Sequence, residues 1–257
     1  GGSDVTVAVG KANIVASDAP GIFELLLDPD FYANPLAALG EAAYGGNGCD
    51  TNVVVGKGNV ALAGGGEDLT IATGGGNVIV DAAGDDTIIA TGLANVVFSG
   101  DGDLSGIGGN HLIHAARRNM DLMVVCVNNF IYGMTGGQNA PTTPLTAKSS
   151  TMPFGNFERP FNLAHLAASS GATYVARWTC LHIRRLKNSM AEAIGRKGFR
   201  FIEVIAPCPT LYSRLNKLGT GLNGLRFYHD NATIKHGADT RELDIDFQKS
   251  IVCGKFV

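Results

Sequence analysis

A short acidic motif and a distant asparagine are the residues of this sequence best suited to bind a metal ion. Residues 99–103 read Ser-Gly-Asp-Gly-Asp, and Asn129 follows Asp101 by 28 positions. Mg²⁺ prefers octahedral oxygen ligands and takes one or two from side chains and the rest from phosphate and water. Asp101 would supply a carboxylate and Asn129 an amide oxygen, while Gly100 and Gly102 would let phosphates approach the backbone. The spacing predicts a site where Mg²⁺ holds a diphosphate.

The elements that must position Asp101 and Asn129 alternate between strand and helix. Strands are predicted at 95–99, 121–127, 172–176 and 199–205, helices at 109–119, 161–170 and 181–196, and a Gly/Pro/Thr loop from 128 to about 160. This alternation predicts right-handed crossovers and a mostly parallel sheet. Ligands bind at the carboxyl ends of such strands. Because both residues follow a predicted strand, we expect them to meet in one site.

Composition changes sharply near residue 100. Residues 1–100 contain two Lys and twelve Asp or Glu, a net charge of −10, whereas residues 101–257 carry a net charge of +7. All eleven Arg, all six His and the single Trp lie after residue 100. Such a shift favours two modules of different origin, which we place at residues 1–98 and 99–257.

Charge and cysteine content exclude several classes of protein. The positive charge of the second module is scattered along helices without interleaved aromatic residues, which favours a solvated surface over nucleic-acid binding. No apolar run approaches the ~20 residues of a membrane span, and the N-terminal Gly-Gly-Ser-Asp lacks the features of a signal peptide. Five widely spaced Cys argue for a reducing compartment. We expect a cytoplasmic protein that binds neither membrane nor nucleic acid.

A short unit repeats in the first module. From residue 52 onward, Asn or Asp recurs with a nine-residue period, at 59, 68, 77, 86 and 95. Each is followed by a strand-like tripeptide, such as Val78-Ile-Val80, and glycine-rich turns intervene. A fixed period with one apolar strand per repeat predicts a β-solenoid whose coils bury their apolar faces on one another. We expect Ile71, Val80, Ile89 and Phe98 to form one stacked column.

The repeat resembles the glycine-rich nonapeptides of hemolysin-type β-rolls, G-G-x-G-x-D-x-U-x. The resemblance covers residues 52–103 and, weakly, 1–15, and it implies Ca²⁺ binding. Only Asp68 and Asp86 keep the acidic residue, whereas Asn59, Asn77 and Asn95 replace it, and fewer carboxylates lower the affinity for Ca²⁺. We therefore favour a mainly structural β-roll over a working Ca²⁺ site. Between the repeats, residues 21–27 and 35–43 are predicted to form short helices.

Several blocks of the second module occur together in a family pattern. They are Gly100-Asp-Gly-Asp103-Leu-Ser-Gly-Ile-Gly-Gly-Asn110, Ile131-Tyr-Gly-Met-Thr-Gly-Gly-Gln138, Gly155-Asn-Phe-Glu-Arg-Pro160, Lys197-Gly-Phe-Arg-Phe-Ile-Glu203 and Cys208-Pro-Thr-Leu-Tyr-Ser-Arg-Leu-Asn-Lys217. From about residue 96 to the C-terminus, the sequence resembles the β subunit of 2-oxoacid:ferredoxin oxidoreductases, especially the 2-oxoglutarate type. The resemblance implies an α/β fold, a thiamine diphosphate-binding module built on a parallel sheet.

The resemblance also implies a reaction and a set of site residues. A 2-oxoacid is decarboxylated on thiamine diphosphate, electrons pass through iron–sulfur clusters to ferredoxin, and the acyl group passes to coenzyme A. Asp101, Asn129 and the carbonyl of Ile131 would bind Mg²⁺. Gly102, Asp103, Gly133 and Met134 would line the diphosphate and thiazolium. The carboxylate that activates the cofactor lies on the companion α subunit in this family, so no catalytic residue is assigned to this chain.

An iron–sulfur cluster is the family feature that this sequence matches least. In the family, a Cys-x-x-Cys and a further Cys near the start of the β subunit join the Cys of Pro-Cys-Pro-Thr around a [4Fe–4S] cluster. Cys208 occupies the last position, but residues 1–98 contain only Cys49, in an unrelated context. A cubane cluster needs four ligands, so we expect Cys208 to be at most a residual ligand.

Three other interpretations stay open. Gly100, Gly102 and Gly106 between a strand and a helix could form a dinucleotide-binding turn, although Asp101 would oppose a pyrophosphate. His111 and His114 share a helix face and could bind a metal, but ordinary helix histidines fit better without nearby Cys or carboxylates. The alternative function is a calcium-binding or structural repeat protein joined to a non-functional or misjoined oxidoreductase remnant.

Overall fold

Two units make up the chain in a computed structural model, Gly1–Phe98 and Ser99–Val257. The structure describes residues 5–11, 15–16, 42–44, 49–65, 68–83, 87–92, 95–246 and 249–257. The strands of the first unit are β1 (Val5–Lys11), β2 (Val15–Ala16), β3 (Ala42–Tyr44), β4 (Thr51–Lys57), β5 (Val60–Gly65), β6 (Leu69–Gly75), β7 (Val78–Ala83), β8 (Thr87–Thr91) and β9 (Asn95–Gly100). The last two residues of β9 fall in the second unit.

Strands of the first unit pair in parallel within two sheets. One sheet has the order β1-β4-β6-β8, and the strands of the other pair in the order β2-β3-β5-β7-β9. From β4 onward, consecutive strands alternate between the sheets, so each strand pairs with the one that lies 18 residues, or two sequence repeats, further on. Gly58 and Gly76, which lie between successive strands, have φ values of 75° and 73°, a region that glycine enters without steric cost.

The described Asn and Asp residues of the repeat are buried, and three of them support this pairing. One side-chain oxygen of each of these three accepts a hydrogen bond from the backbone N–H 18 residues earlier, at 2.8 Å for Asp68 with Asp50, 3.1 Å for Asn77 with Asn59 and 3.0 Å for Asn95 with Asn77. We call these five residues the polar ladder. Since a buried backbone N–H without a partner is costly, the polar ladder explains why Asn serves as well as Asp at this position.

The predicted apolar column is wrong in its face and its composition. Ile71 pairs with Ile89 in one sheet, and Val80 pairs with Phe98 in the other, so the four do not form a single column. Ile89 is 46% exposed. The buried positions lie one residue earlier, at Thr70 in the first of these sheets and at the paired Ile79 and Val97 in the other. Because successive side chains of a strand point to opposite faces, a shift of one residue exchanges the buried and exposed sets.

The short helices predicted between the repeats are only partly covered by the described residues. Residues 21–27 and 35–41 lie outside them. At the end of the second predicted helix, Ala42 and Ala43 belong to β3 and pair in parallel with Val60 and Ala61 of β5. The helix prediction is therefore wrong at these two residues, where pairing with a neighbouring strand outweighs the helix propensity of Ala.

The second unit alternates helices with strands. Its elements are α1 (Asp101–Ser105), α2 (Gly109–Arg117), β10 (Leu122–Asn128), β11 (Ile131–Tyr132), β12 (Gln138–Asn139), α3 (Leu163–Ser169), β13 (Tyr174–Thr179), α4 (Ile183–Ile194), β14 (Arg200–Ile205), α5 (Tyr212–Leu215), α6 (Gly221–Asn231), β15 (Ala232–Ile234), a 3₁₀ turn (Thr240–Glu242) and β16 (Ile251–Lys255). Among the helices of the described residues, none is both long and apolar enough to cross a bilayer.

A parallel sheet forms the centre of the second unit. Its strand order is β15-β16-β13-β14-β10, with β14 parallel to both β10 and β13 and β16 antiparallel to β13. Every residue of β13 and β14 is buried, as expected for strands covered on both faces. Leu112 of α2 and Leu163 of α3 pack with Phe201 in the core on one face. This α/β fold with a parallel sheet confirms the fold class predicted for this part of the chain.

Two local predictions for this unit are corrected. The sequence predicts no element between the strand at 95–99 and the helix at 109–119, but Asp101 begins helix α1 after Gly100 in an extended conformation. A hydrogen bond from the Ser105 hydroxyl to the carbonyl of Asp101 closes this helix. The predicted loop from 128 to about 160 contains a short antiparallel pair, β11 with β12. The other predicted helices and strands are present, with ends shifted by a few residues, as is usual for element boundaries.

Candidate metal and cofactor site

Asp101 lies where strand β9 ends and helix α1 begins, and its side chain is buried. One carboxylate oxygen accepts a hydrogen bond from the backbone N–H of Asn129 at 3.1 Å. The other accepts one from the hydroxyl of Thr142. Asn129 directly follows the last residue of β10. The structure therefore brings Asp101 and Asn129 together, as the sequence predicts for residues that follow strand ends.

Burial dominates the electrostatics of Asp101. It raises the pKa of this carboxyl from its ordinary 3.8 to about 6, and the charge of Glu203 acts in the same direction. Hydrogen bonds from Thr142, from Asn129 and from Asp101's own backbone N–H act against the rise. A carboxylate has about four acceptor positions, so these three bonds leave one for a further ligand. A cation there would offset the cost of burying the charge.

The loop that carries Asn129 has an unusual backbone. The side-chain oxygen of Asn129 accepts a hydrogen bond from the N–H of Ile131 at 3.1 Å. Between them, Phe130 has a φ of 68°, which is uncommon for a bulky residue. The carboxylate of Asp101, the amide oxygen of Asn129 and the main-chain carbonyl of Ile131 are all hard oxygen donors, the ligand type that suits Mg²⁺. The residues present therefore fit this ion in their donor chemistry.

Gly100 and Gly102 flank Asp101, and the contacts around them give a structural reason for each glycine. A Cβ on Gly102 would clash with the ring of Tyr132, whose hydroxyl donates to the carbonyl of Gly102 at 2.9 Å. A Cβ on Gly100 would lie 3.1 Å from a carboxylate oxygen of Asp103. Packing against Tyr132 thus requires glycine at position 102, independently of whether a phosphate approaches the backbone there.

Gly133, Met134 and Cys208, also predicted site residues, lie in different surroundings. A Cβ on Gly133 would be 3.6 Å from the side-chain nitrogen of Asn129 and 3.9 Å from the sulfur of Cys208, so these three residues are neighbours. Met134 is 75% exposed. Cys208 is buried, with its sulfur 3.7 Å from the hydroxyl of Thr210. Cys208 thus lies close to the predicted ligand Asn129, whereas the side chain of Met134 faces solvent.

A buried polar network continues from the loop into the sheet. The side-chain nitrogen of Asn128 donates to Glu203 at 2.8 Å, and Arg177 donates to the same carboxylate at 2.7 Å. Arg177 also donates to the carbonyl of Leu243 at 2.7 Å. The sequence reasoning missed this network, although opposite charges within two apolar strands were a usable signal. It also missed Thr142, whose loop has no periodic pattern to mark it.

Apart from these residues, the described part of the chain offers little metal-binding chemistry. No group of three or more His, Cys, Asp or Glu side chains there is arranged to hold a metal ion. His111 and His114 are exposed on α2, in line with ordinary surface histidines. An apolar cavity of about 260 Å³ lies beside the loop, lined by Phe130, Tyr212 and Tyr228 among others. Burial raises the pKa of both tyrosines above its ordinary value of 10.

Comparison with protein families bears directly on this site. Residues 86–204 match the family profile described as thiamine pyrophosphate enzyme, C-terminal TPP binding domain. The second unit has the fold of a thiamine diphosphate-binding module. The matched residues include both Asp101 and Asn129, and they end within β14 just beyond Glu203.

Curated relatives are similar to more than half of this chain. The 2-oxoglutarate synthase subunit KorB of Methanothermobacter thermautotrophicus is 48% identical over 154 residues, 60% of this chain and 54% of that protein. KorB of Methanocaldococcus jannaschii is 47% identical over 156 residues, 60% of this chain and 57% of that protein. The chain thus spans little more than half the length of these relatives.

One solved structure supports the fold independently. It is described as 2-oxoglutarate:ferredoxin oxidoreductase from Magnetococcus marinus with 2-oxoglutarate, coenzyme A and succinyl-CoA bound. The similarity has a TM-score of 0.56 and covers 72% of this chain and 70% of that one, at 23% identity. At this level of identity, the match supports the fold and carries no residue roles.

Proposed function

We propose that this chain is a β-subunit-like component of a 2-oxoacid:ferredoxin oxidoreductase, acting on 2-oxoglutarate and binding thiamine diphosphate through Mg²⁺. Similarity to 2-oxoglutarate synthase subunits supports the substrate class. The match to a thiamine pyrophosphate-binding domain supports the cofactor. The oxygen donors of Asp101, Asn129 and Ile131 support Mg²⁺ as the metal.

The observation that carries the proposal is the buried carboxylate of Asp101 next to Asn129 at the ends of two strands. Burying a charge without a partner is costly, and Asp101 has an acceptor position left for a ligand. A divalent cation bound to the carboxylate of Asp101 would offset this cost through their electrostatic attraction. Gly102, Asp103, Gly133 and Met134 would line the diphosphate and thiazolium.

The division of labour follows from this arrangement. Thiamine diphosphate supplies the carbanion chemistry of 2-oxoacid decarboxylation when it is bound. This chain's residues hold the metal, orient the diphosphate and keep the carboxylate of Asp101 away from bulk water. The companion α subunit, ferredoxin and coenzyme A are the proposed partners, with the activating carboxylate on the α subunit. Cys208 is proposed as a residual iron–sulfur ligand at most. The protein is expected to act in the cytoplasm.

Isothermal titration of thiamine diphosphate into the full chain, with and without Mg²⁺, tests the proposal. We expect saturable binding that requires Mg²⁺, measured with the chain alone and with a companion α subunit. Asp101→Ala should weaken binding by at least about 100-fold, because loss of a ligand should exceed the 10- to 100-fold cost of losing an outer-shell partner.

Asp230→Ala is the matched control, since the Asp230 side chain is 70% exposed on α6 and its substitution removes the same charge. This variant should bind like the unmodified protein. The proposal would be refuted if thiamine diphosphate did not bind either to the chain alone or to the chain with a companion α subunit. Equal affinities of Asp101→Ala and the unmodified protein would also refute it.

We propose further that the first unit is structural and does not depend on Ca²⁺. One side-chain oxygen each of Asp68, Asn77 and Asn95 accepts a backbone hydrogen bond, and all three residues are buried, so these oxygens are engaged in strand pairing. The far-ultraviolet circular dichroism of the full chain should stay unchanged on adding millimolar Ca²⁺. A calcium-induced rise in β-sheet signal would instead favour the calcium-binding interpretation.

A further inference from the structure

Phe130 adopts a left-handed backbone at the centre of the proposed metal-binding loop. Its φ of 68° lies in a region that costs L-residues about 1–2 kcal/mol, and glycine alone enters it freely. Phe130 separates Asn129 from Ile131, the two proposed ligands on this loop. The conformation of Phe130 therefore sets the direction of the chain between them. Strain of this kind persists only where surrounding groups enforce it.

Two buried side chains hold Phe130 from opposite ends of its backbone. The side-chain oxygen of Asn128 accepts a hydrogen bond from the N–H of Phe130 at 3.0 Å. The hydroxyl of Thr143 donates to the carbonyl of Phe130 at 2.7 Å. Both side chains are buried, Asn128 at 2% exposure and Thr143 at 0%. We call this pair the backbone clamp.

Each side of the backbone clamp is itself fixed. Asn128 donates to Glu203 at 2.8 Å, which settles which end of its amide faces Phe130. The oxygen of Thr143 accepts a hydrogen bond from the N–H of Ala140 at 2.9 Å. Because that lone pair is occupied by Ala140, the hydroxyl proton of Thr143 is directed at the carbonyl of Phe130. Both sides of the backbone clamp are thus fixed by groups of this chain alone.

We propose that Asn128 and Thr143 are positioning residues, which keep Phe130 left-handed and so hold Asn129 and Ile131 ready for Mg²⁺. The inference rests on the proposed function and assigns neither residue a contact with the metal or the cofactor. Its physical basis is preorganisation: a loop already in its binding geometry loses less conformational entropy when the ion binds.

Thr143→Val tests the backbone clamp with a nearly isosteric change that removes only the hydroxyl. In the full chain without ligand, we expect hydrogen exchange of the Phe130 and Ile131 amides to accelerate by about tenfold or more. The dissociation constant for Mg²⁺ at saturating thiamine diphosphate should rise by about 10- to 100-fold. Thr143→Ser, which keeps the hydroxyl, should restore both values to near those of the unmodified protein.

Thr179→Val is the matched control. Thr179 is also fully buried in the second unit, and its hydroxyl bonds to the ring of His182 at 2.9 Å. This variant should lose a similar amount of thermal stability without affecting loop exchange or Mg²⁺ binding. Equal behaviour of Thr143→Val and Thr179→Val in exchange and Mg²⁺ binding, or failure of Thr143→Ser to restore them, would overturn the inference.

Substitution at Phe130 itself gives a second test that does not require Thr143→Val to fold. Phe130→Ala and Phe130→Gly both remove the ring, but only glycine adopts the left-handed region without strain. Phe130→Ala should therefore bind Mg²⁺ about tenfold more weakly than Phe130→Gly. Equal affinities would overturn the inference. Failure of the unmodified protein to bind Mg²⁺ and thiamine diphosphate would overturn the proposed function together with it, whereas normal binding with unaffected variants would overturn the inference alone.

Discussion

The two units satisfy their buried polar groups in opposite ways. In the first unit, the polar ladder repeats one interaction, a side-chain oxygen that accepts from a backbone N–H 18 residues earlier. In the second unit, single interactions join distant residues, such as Asn128 with Glu203 across 75 positions. A repeated interaction spreads its contribution over many equivalent positions. A network of single interactions concentrates the contribution to stability in a few residues, so that loss of one side chain leaves several buried groups without partners.

Breaking the buried ion pair of the second unit should give the largest loss of stability. Arg177 and Glu203 are each 1% exposed and 2.7 Å apart. Glu203→Leu would leave the guanidinium of Arg177 buried without its carboxylate and should lower the free energy of unfolding by about 3–5 kcal/mol. Urea denaturation followed by fluorescence of Trp178, the single Trp of the chain, measures this unit directly.

The double variant Arg177→Met with Glu203→Leu shows whether the loss comes from the unpaired charge. Because it removes both charges, we expect it to regain most of the stability that Glu203→Leu loses. A Glu203→Leu variant that unfolds within about 1 kcal/mol of the unmodified protein, or a double variant less stable than the single one, would contradict the concentrated network.

Loss of one side chain of the polar ladder should lower the free energy of unfolding by a smaller amount. Asn77→Ala removes the acceptor of the Asn59 N–H, a loss of about 1–3 kcal/mol for a buried donor left without a partner. Far-ultraviolet circular dichroism during urea denaturation should report this change. Trp178 fluorescence should be little affected, because the lost bond lies within the first unit.

Asn77→Asp is the matched control for the polar ladder. Asp68 makes the same bond to the N–H of Asp50 at 2.8 Å, so a carboxylate can serve there. The side-chain nitrogen of Asn77 has no hydrogen-bond partner among the described residues, and its replacement by oxygen therefore breaks nothing. At a pH low enough to protonate the new carboxyl, so that no charge is buried, Asn77→Asp should stay closer to the unmodified protein than Asn77→Ala. The reverse order at that pH would show that the ladder position does not act as an acceptor.

The same contrast explains what the sequence could and could not predict. Strands β10, β13 and β14 were predictable because apolar residues dominate each of them, although β13 contains Arg177 and β14 contains Arg200 and Glu203. The meeting of Asp101 with Asn129 was predictable because both follow strands. Thr142 was not, because its contact with Asp101 spans 41 positions and starts from a loop without a pattern.

The repeat shows a different limit of prediction from sequence. Its period was evident, but which residues of each repeat face inward was not. Apolar content alone favoured Ile71 and Ile89 as the buried column. The buried Asn and Asp decide otherwise, since their oxygens must reach the backbone of the neighbouring strand, and residues two positions away point the same way. Hydrogen-bond satisfaction, rather than hydrophobicity, selects the buried face.

Substitution in a surface ion-pair group of the second unit should give the smallest loss of stability among these variants. Glu192 on α4 accepts from Lys255 and from Arg196, each at 2.9 Å, and its side chain is 35% exposed. The hydrogen bond from Lys255 is the main reason that the pKa of Glu192 lies below its ordinary 4.5. A lowered carboxyl pKa stabilises the folded protein above the unfolded-state value, and the contribution disappears as pH falls through the folded-state value.

The stability difference between the unmodified protein and Glu192→Gln should accordingly be under about 1 kcal/mol at pH 7. It should decrease as the pH falls below the ordinary pKa of 4.5 and vanish below the lower folded-state pKa. Trp178 fluorescence in urea at several pH values measures it, with Glu158→Gln at an exposed position as the control for loss of charge. A loss comparable to that of Glu203→Leu would mean that solvent-screened pairs stabilise this unit as strongly as its buried pair. In that case, the stability of the second unit would not be concentrated in a few buried polar interactions, because exposed charged pairs would contribute as much. The difference drawn between the two units would then be wrong for the second unit.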